Sequence, residues 1–99
     1  MSTVGDIALK VRSKNAGPFW LTVDIFCGTP DAYAQISGAL QSATVAAALK
    51  VDVEELKRFD LADLNVVKFS APRPAIQGTR EDRDMHGASF AVLIASLTL

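Results

Sequence analysis

Ile7, Leu9 and Val11 alternate with Ala8, Lys10 and Arg12, the pattern of a first strand with one buried face. The alternation is stronger from Phe19 to Cys27. There Phe19, Leu21, Val23 and Ile25 fall on one side, and Trp20, Thr22, Asp24 and Phe26 on the other. β-branched and aromatic residues dominate this segment, which is the best strand in the chain. Its second face is neither properly polar nor properly apolar. A solvent-facing Trp20 and Phe26 beside Thr22 and Asp24 suit a surface that meets another molecule.

Helical spacing takes over after Gly28. Thr29 is placed to cap, Pro30 fits the first helical position, and Asp31 complements the positive helix end. Tyr33, Ile36, Ala39 and Leu40 form the apolar stripe. Gly38 and the Ser42-Ala43-Thr44 group weaken it, which predicts a break before a second helical piece from Val45 to Leu49. Leu56 to Asp60 and Leu64 to Ala71 read as strands joined by a short turn around Ala62 and Asp63. Pro72-Arg73-Pro74 stops the second, because proline lacks the donor that a ladder needs. A polar connection over residues 72–84 ends in the charge run Arg80 to Asp84, whose ordinary reading is a solvated loop.

Asp84 has the character of an N-cap for a last helix, from Met85 to about Ser96. Phe90 to Ala95 are apolar in succession, so that helix is expected to be buried on more than one side. Leu97-Thr98-Leu99 reads as a short final strand. From the second strand onward the order is strand, helix, strand, strand, helix, strand. That is the ferredoxin-like split βαββαβ sandwich of the α+β class, with an extra N-terminal strand.

Ninety-nine residues, 49% hydrophobic and 21% charged, bound the chain to one compact domain, residues 1–99. Ten basic against eleven acidic residues leave a net charge of −1, so no overall field favours nucleic acid or an anionic membrane. One cysteine and one histidine exclude an internal disulfide and a Cys2His2-type zinc site. No apolar leader follows Met1, and no apolar run approaches the ~20 residues of a membrane span. The expectation is a cytoplasmic protein with no metal and no cofactor.

The candidate chemistry lies in Arg12-Ser13-Lys14-Asn15-Ala16-Gly17-Pro18-Phe19, read as a loop between two strands. Arg12 offers a fixed fork for a carboxylate or phosphate, Lys14 a mobile charge, and Asn15 a neutral donor–acceptor pair. With Ser13 and Gly17 they make a candidate anion-binding loop. Such groups hold an acidic ligand but supply no general base. Asp24 either balances a nearby cation or belongs to a polar site on the same sheet face. His86, at the start of the last helix, is an additional candidate, with a surface or capping role as the plainer reading. Cys27 reads as a buried, inert thiol. Trp20, Phe26, Phe90 and Leu93 are expected to contribute to an interface, in a homo-oligomer or a hetero-complex.

The octapeptide, the following Leu-Thr-Val-Asp-Ile strand, Ala71-Pro72-Arg73-Pro74 and Asp84-Met85-His86-Gly87-Ala88 resemble a family of small bacterial and archaeal proteins of unknown function. That family is in turn similar to the ferredoxin-fold domain at the C-terminus of AtuA-type acyclic terpene utilisation proteins. There an Arg-Ser-Gly-Asp-Lys-Gly-type loop stands where this chain has Arg12 to Gly17. The chain departs from it in carrying Lys14-Asn15-Ala16. The resemblance implies an accessory small subunit of a hydro-lyase or lyase complex, working with an AtuA-like large subunit on a carboxylic acid or acyl-CoA. The catalyst would be the complex rather than this chain alone. Two other readings are a regulatory ligand-binding module acting as a homodimer and a stand-alone enzyme of acylphosphatase type.

Overall fold

The computed structural model describes residues 2–17, 19–72 and 89–99. The chain's first element is a helix, where the alternation of Ile7, Leu9 and Val11 predicts a strand. Thr3 Oγ1 accepts from the Asp6 amide (3.2 Å) and the Asp6 carboxylate accepts from the Thr3 amide (3.0 Å). This reciprocal cap starts helix α1 (Val4–Ile7) and holds the Asp6 carboxyl below its ordinary range through hydrogen bonds to Thr3. Leu9 is consequently left 76% exposed. Strand β1 begins only afterwards and spans Lys10–Asn15.

The second correction follows from the first. Arg12 to Asn15, expected within a loop, belong to a regular strand paired antiparallel with β2 (Trp20–Phe26). The connection is confined to residues 16–19, where the Ala16 amide donates to the Trp20 carbonyl (2.9 Å) and Gly17 adopts φ +82°. Arg12 lies opposite Asp24 and Lys14 opposite Thr22.

Helix α2 (Pro30–Ala39) begins as its sequence predicts, with Thr29 Oγ1 accepting from the Ala32 amide at 3.1 Å. Helix α3 (Ser42–Leu49) starts ahead of the expected Val45. Strands β3 (Lys57–Leu61) and β4 (Val66–Pro72) flank a 3-10 turn (Ala62–Leu64), closed by Asn65 at φ 54°. Helix α4 covers Ser89–Ala95. The expected Arg73–Pro74 stop, the Arg80–Asp84 charge run, the Asp84 cap and the helix start at Met85 and His86 lie outside the described residues.

The sheet is antiparallel throughout, in the order β1-β2-β4-β3. The fold is α+β, a mixed architecture compatible with the ferredoxin-like class. The N-terminal strand occupies an edge beside β2. Leu97 to Leu99, expected as a final strand, instead make one isolated bridge between Thr98 and Thr3. Two backbone bonds reinforce it, from the Val4 amide to the Leu97 carbonyl (2.8 Å) and from the Leu99 amide to the Ser2 carbonyl (2.9 Å).

One sheet face is covered. Leu21, Val23 and Ile25 of β2 and Val67, Phe69 and Ala71 of β4 are buried against Ile36, Leu40, Val45, Leu49 and Ile94 of the helical layer. Within α4, Ile94 is fully buried and Phe90 half-buried, but Leu93 is 47% exposed and Val92 is exposed beside it. Arg58 also projects to the covered side. Its guanidinium donates to the carbonyls of Leu40 (2.6 Å) and Ser37 (2.8 Å), pairs with Asp60 (3.0 Å) and lies over the Phe69 ring. A charge at this depth is tolerated because it satisfies carbonyls that the end of α2 leaves without intrahelical donors.

Candidate functional site

Strand alternation decides which groups can act together. On β1, Lys10, Arg12 and Lys14 are exposed, while Val11, Ser13 and Asn15 are half-buried toward the helices. The predicted anion-binding cluster is therefore split between two faces. Ser13 is occupied on the helical side, where its Oγ accepts from the Ala91 amide (2.9 Å) and so satisfies a donor in the first turn of α4. Asn15 lies on that side too. Gly17 sits in the turn, and His86 lies outside the described residues.

Arg12 and Lys14 stand on the open face. Their neighbours there follow from the register. Asp24 lies between Arg12 and Lys68, and Thr22 lies between Lys14 and Ser70. Lys57 and Phe59 of β3 continue these two rows to the far edge. Lys10 Nζ approaches the Phe26 ring (5.5 Å) and Lys57 Nζ the Trp20 ring (5.6 Å), both favourable cation–π distances. Trp20 remains 39% exposed.

Among the described residues this face thus carries Lys10, Arg12, Lys14, Lys57 and Lys68 against the one carboxylate of Asp24. Among the described residues the one ion pair is Arg58–Asp60, and none of these cations pairs closely with a described carboxylate. A pocket of about 300 Å³ is lined by Arg12, Ser13, Lys14, Asp24 and Phe26.

Thr22 is the anomaly of this face. It is 8% exposed, and its Oγ1 has no hydrogen-bond partner. A buried hydroxyl left unsatisfied costs on the order of 1–3 kcal/mol, so it is a donor in need of an acceptor.

Sequence reasoning placed Arg12, Lys14, Thr22, Asp24, Trp20 and Phe26 but missed Lys57 and Lys68 as members of the same surface. The signal for Lys68 was present: Val67, Phe69 and Ala71 alternate with Lys68 and Ser70. Cys27 is buried, donates weakly to the Ile25 carbonyl (3.7 Å) and has its pKa raised by burial. That combination describes an inert thiol. Among the described residues no three His, Cys, Asp or Glu side chains are grouped to hold a metal ion, and no helix is long and apolar enough to cross a membrane.

Fold and site together define a small α+β domain whose sheet face away from the described helices is polar, aromatic and rich in cations. Residues 4–98 match the family described as a domain of unknown function (DUF4387), and the chain belongs to that family. No curated protein and no solved structure matches it.

Proposed function

We propose that this chain is an accessory binding subunit of a hydro-lyase or lyase complex, partnered by an AtuA-like large subunit. Its open sheet face holds the acid group of a carboxylic acid or acyl-CoA. The observation that carries this reading is the placement of Arg12 and Lys14 side by side on the face away from the described helices, without close carboxylate partners among the described residues, around a pocket that Asp24 also lines. An Arg fork and a mobile ammonium are the groups that bind acid ligands most directly. The described residues of this face are mainly cations that bind and orient an acid group, the part of the chemistry that a binding subunit supplies. The Ser13 hydroxyl supports the site by tying β1 to α4, and Asn15 lies on the same opposite face. Trp20 on the open side and Leu93 on the helical side are exposed apolar groups available to a partner subunit or a second copy of this chain.

The test is co-purification with the large subunit, followed by activity of the reconstituted complex carrying Arg12→Ala or Lys14→Ala. Each variant is expected to assemble and melt normally. Each should lose at least tenfold in activity or affinity, the loss of about 1.5–3 kcal/mol that accompanies a charge-assisted hydrogen bond. Full activity in both variants would sink the proposal. A homodimer that binds small ligands without any large subunit would replace it with the regulatory reading.

A further inference from the structure

We infer that the open face takes a ligand carrying two or more phosphate groups and a planar ring, the chemistry of a nucleotide end group, rather than a bare carboxylic acid. This rests on the binding-subunit reading and selects the acyl-CoA type of ligand within it.

Charge distribution is the first argument. The described residues include seven basic and eight acidic side chains, yet five of those bases and only one of those acids lie on this face. Alternate residues of a strand are about 7 Å apart, so Lys10, Arg12 and Lys14 extend over roughly 13 Å. Lys68, two strands from Arg12, is about 10 Å away on the other side of Asp24. A single carboxylate occupies one guanidinium fork and leaves the remaining cations repelling one another. Two phosphates at separate points neutralise them all.

Thr22 supplies the second argument. Its unpartnered Oγ1 lies in the row between Lys14 and Ser70, on the same face as the cations. A phosphate oxygen is a strong acceptor for such a hydroxyl. Trp20 and Phe59 supply the third, as exposed aromatic side chains on the face, able to stack on a planar base. Asp24 then accepts from a ligand hydroxyl, as an acidic residue does for a ribose in dinucleotide sites.

Protection of sheet edges explains part of the pattern, since lysines on edge strands discourage pairing with other chains. It accounts for Lys10, Lys14 and Lys57. It explains neither Lys68, on a central strand, nor the orphaned hydroxyl of Thr22. Single-stranded nucleic acid would use similar groups, but the acidic remainder of the chain opposes the long-range attraction on which such binding depends.

Trp20 is the chain's one tryptophan, so its fluorescence reports on this face alone. The full chain is titrated with adenosine 3′,5′-bisphosphate, pyrophosphate, propionate and a ten-nucleotide thymidine strand, followed by fluorescence and calorimetry. The bisphosphate is expected to quench Trp20 and to bind at least tenfold more tightly than pyrophosphate. Arg12→Gln and Lys68→Gln should each weaken it about tenfold, and Thr22→Val severalfold without lowering the melting temperature. Pyrophosphate binding as tightly as the bisphosphate would overturn the inference, as would tighter binding of the thymidine strand or indifference to Lys68→Gln. Binding of propionate alone, abolished by Arg12→Gln, would overturn it while leaving the acid-binding subunit intact. Binding of none of the four would overturn it too, and the activity of the Arg12→Ala complex would then decide the broader reading separately.

Discussion

The hydroxyl of Ser13 accepts a hydrogen bond from the backbone amide of Ala91, 78 residues further along the chain. It ties edge strand β1 to the start of α4 and makes Ser13 a helix cap supplied from a distant strand. Ser13→Ala is expected to lower stability by about 0.5–2 kcal/mol, the usual effect of removing a cap. Anion binding on the opposite face should be unchanged. Chemical denaturation beside ligand titration checks both halves, and a stable variant with impaired binding would move Ser13 back into the site.

Arg58 is the stronger structural group. Its guanidinium serves two carbonyls at the end of α2 and the Asp60 carboxylate. Arg58→Ala strips all three contacts and should destabilise the domain by about 2–4 kcal/mol. Arg58→Lys is expected to recover little, because an ammonium cannot reproduce the planar fork. Urea denaturation of the two variants tests this, and near-equality of Arg58→Lys with the parent protein would disprove the geometric argument.

Much of this was visible beforehand, and the exceptions share a cause. Strand β2 shows its alternation because one face is core, and α2 declares its start through Thr29, Pro30 and Asp31. Strand β1 gives no such signal. Its outward positions are cations, and Ser13 and Asn15, on its inward side, are small and polar, so hydrophobicity does not alternate. Ile7 and Leu9 extended the apparent period of Val11 too far upstream, while the Thr3–Asp6 capping box, a short-range feature, made Val4–Ile7 a helix. Arg58 was equally opaque, because a charged residue at an inward register position reads as part of a solvent face.

Glycine substitutions separate two kinds of strain. Gly17 has φ +82° with open space where a Cβ would lie. Gly17→Ala should therefore cost about 1–2 kcal/mol, from the left-handed backbone alone. Gly28 has φ +90°, and an added Cβ would sit 3.0 Å from the Leu9 Cβ. Gly28→Ala is expected to be the worse of the pair. Thermal melting should show a decrease of at least about 4 °C per kcal/mol for a domain of this size. The reverse order would contradict the steric account.

Cys27 should resist alkylation in the folded protein and react readily once the chain is unfolded in denaturant. Its folded pKa is raised by burial, so the unfolded state releases the proton first as pH increases. Stability is then unaffected below the ordinary thiol range near ~8.5 and declines above it. Cys27→Ala should remove that part of the alkaline decline. A thiol that reacts at the same rate in native and denaturing buffer would contradict the buried placement.

The bridge between Thr3 and Thr98 has a kinetic consequence. Backbone bonds from Leu97 to Leu99 help hold α1 in place, so a growing chain cannot complete them until those residues have left the ribosome. The Ser13–Ala91 bond imposes the same delay on β1. Contacts of such long sequence separation form late and together, because each must overcome the entropy of closing a large loop. During synthesis the β2–α2–α3–β3–β4 segment can collapse first, with one flank of β2 still unpaired. That flank is where a nascent chain of this family would be most open to mispairing or to capture by a chaperone.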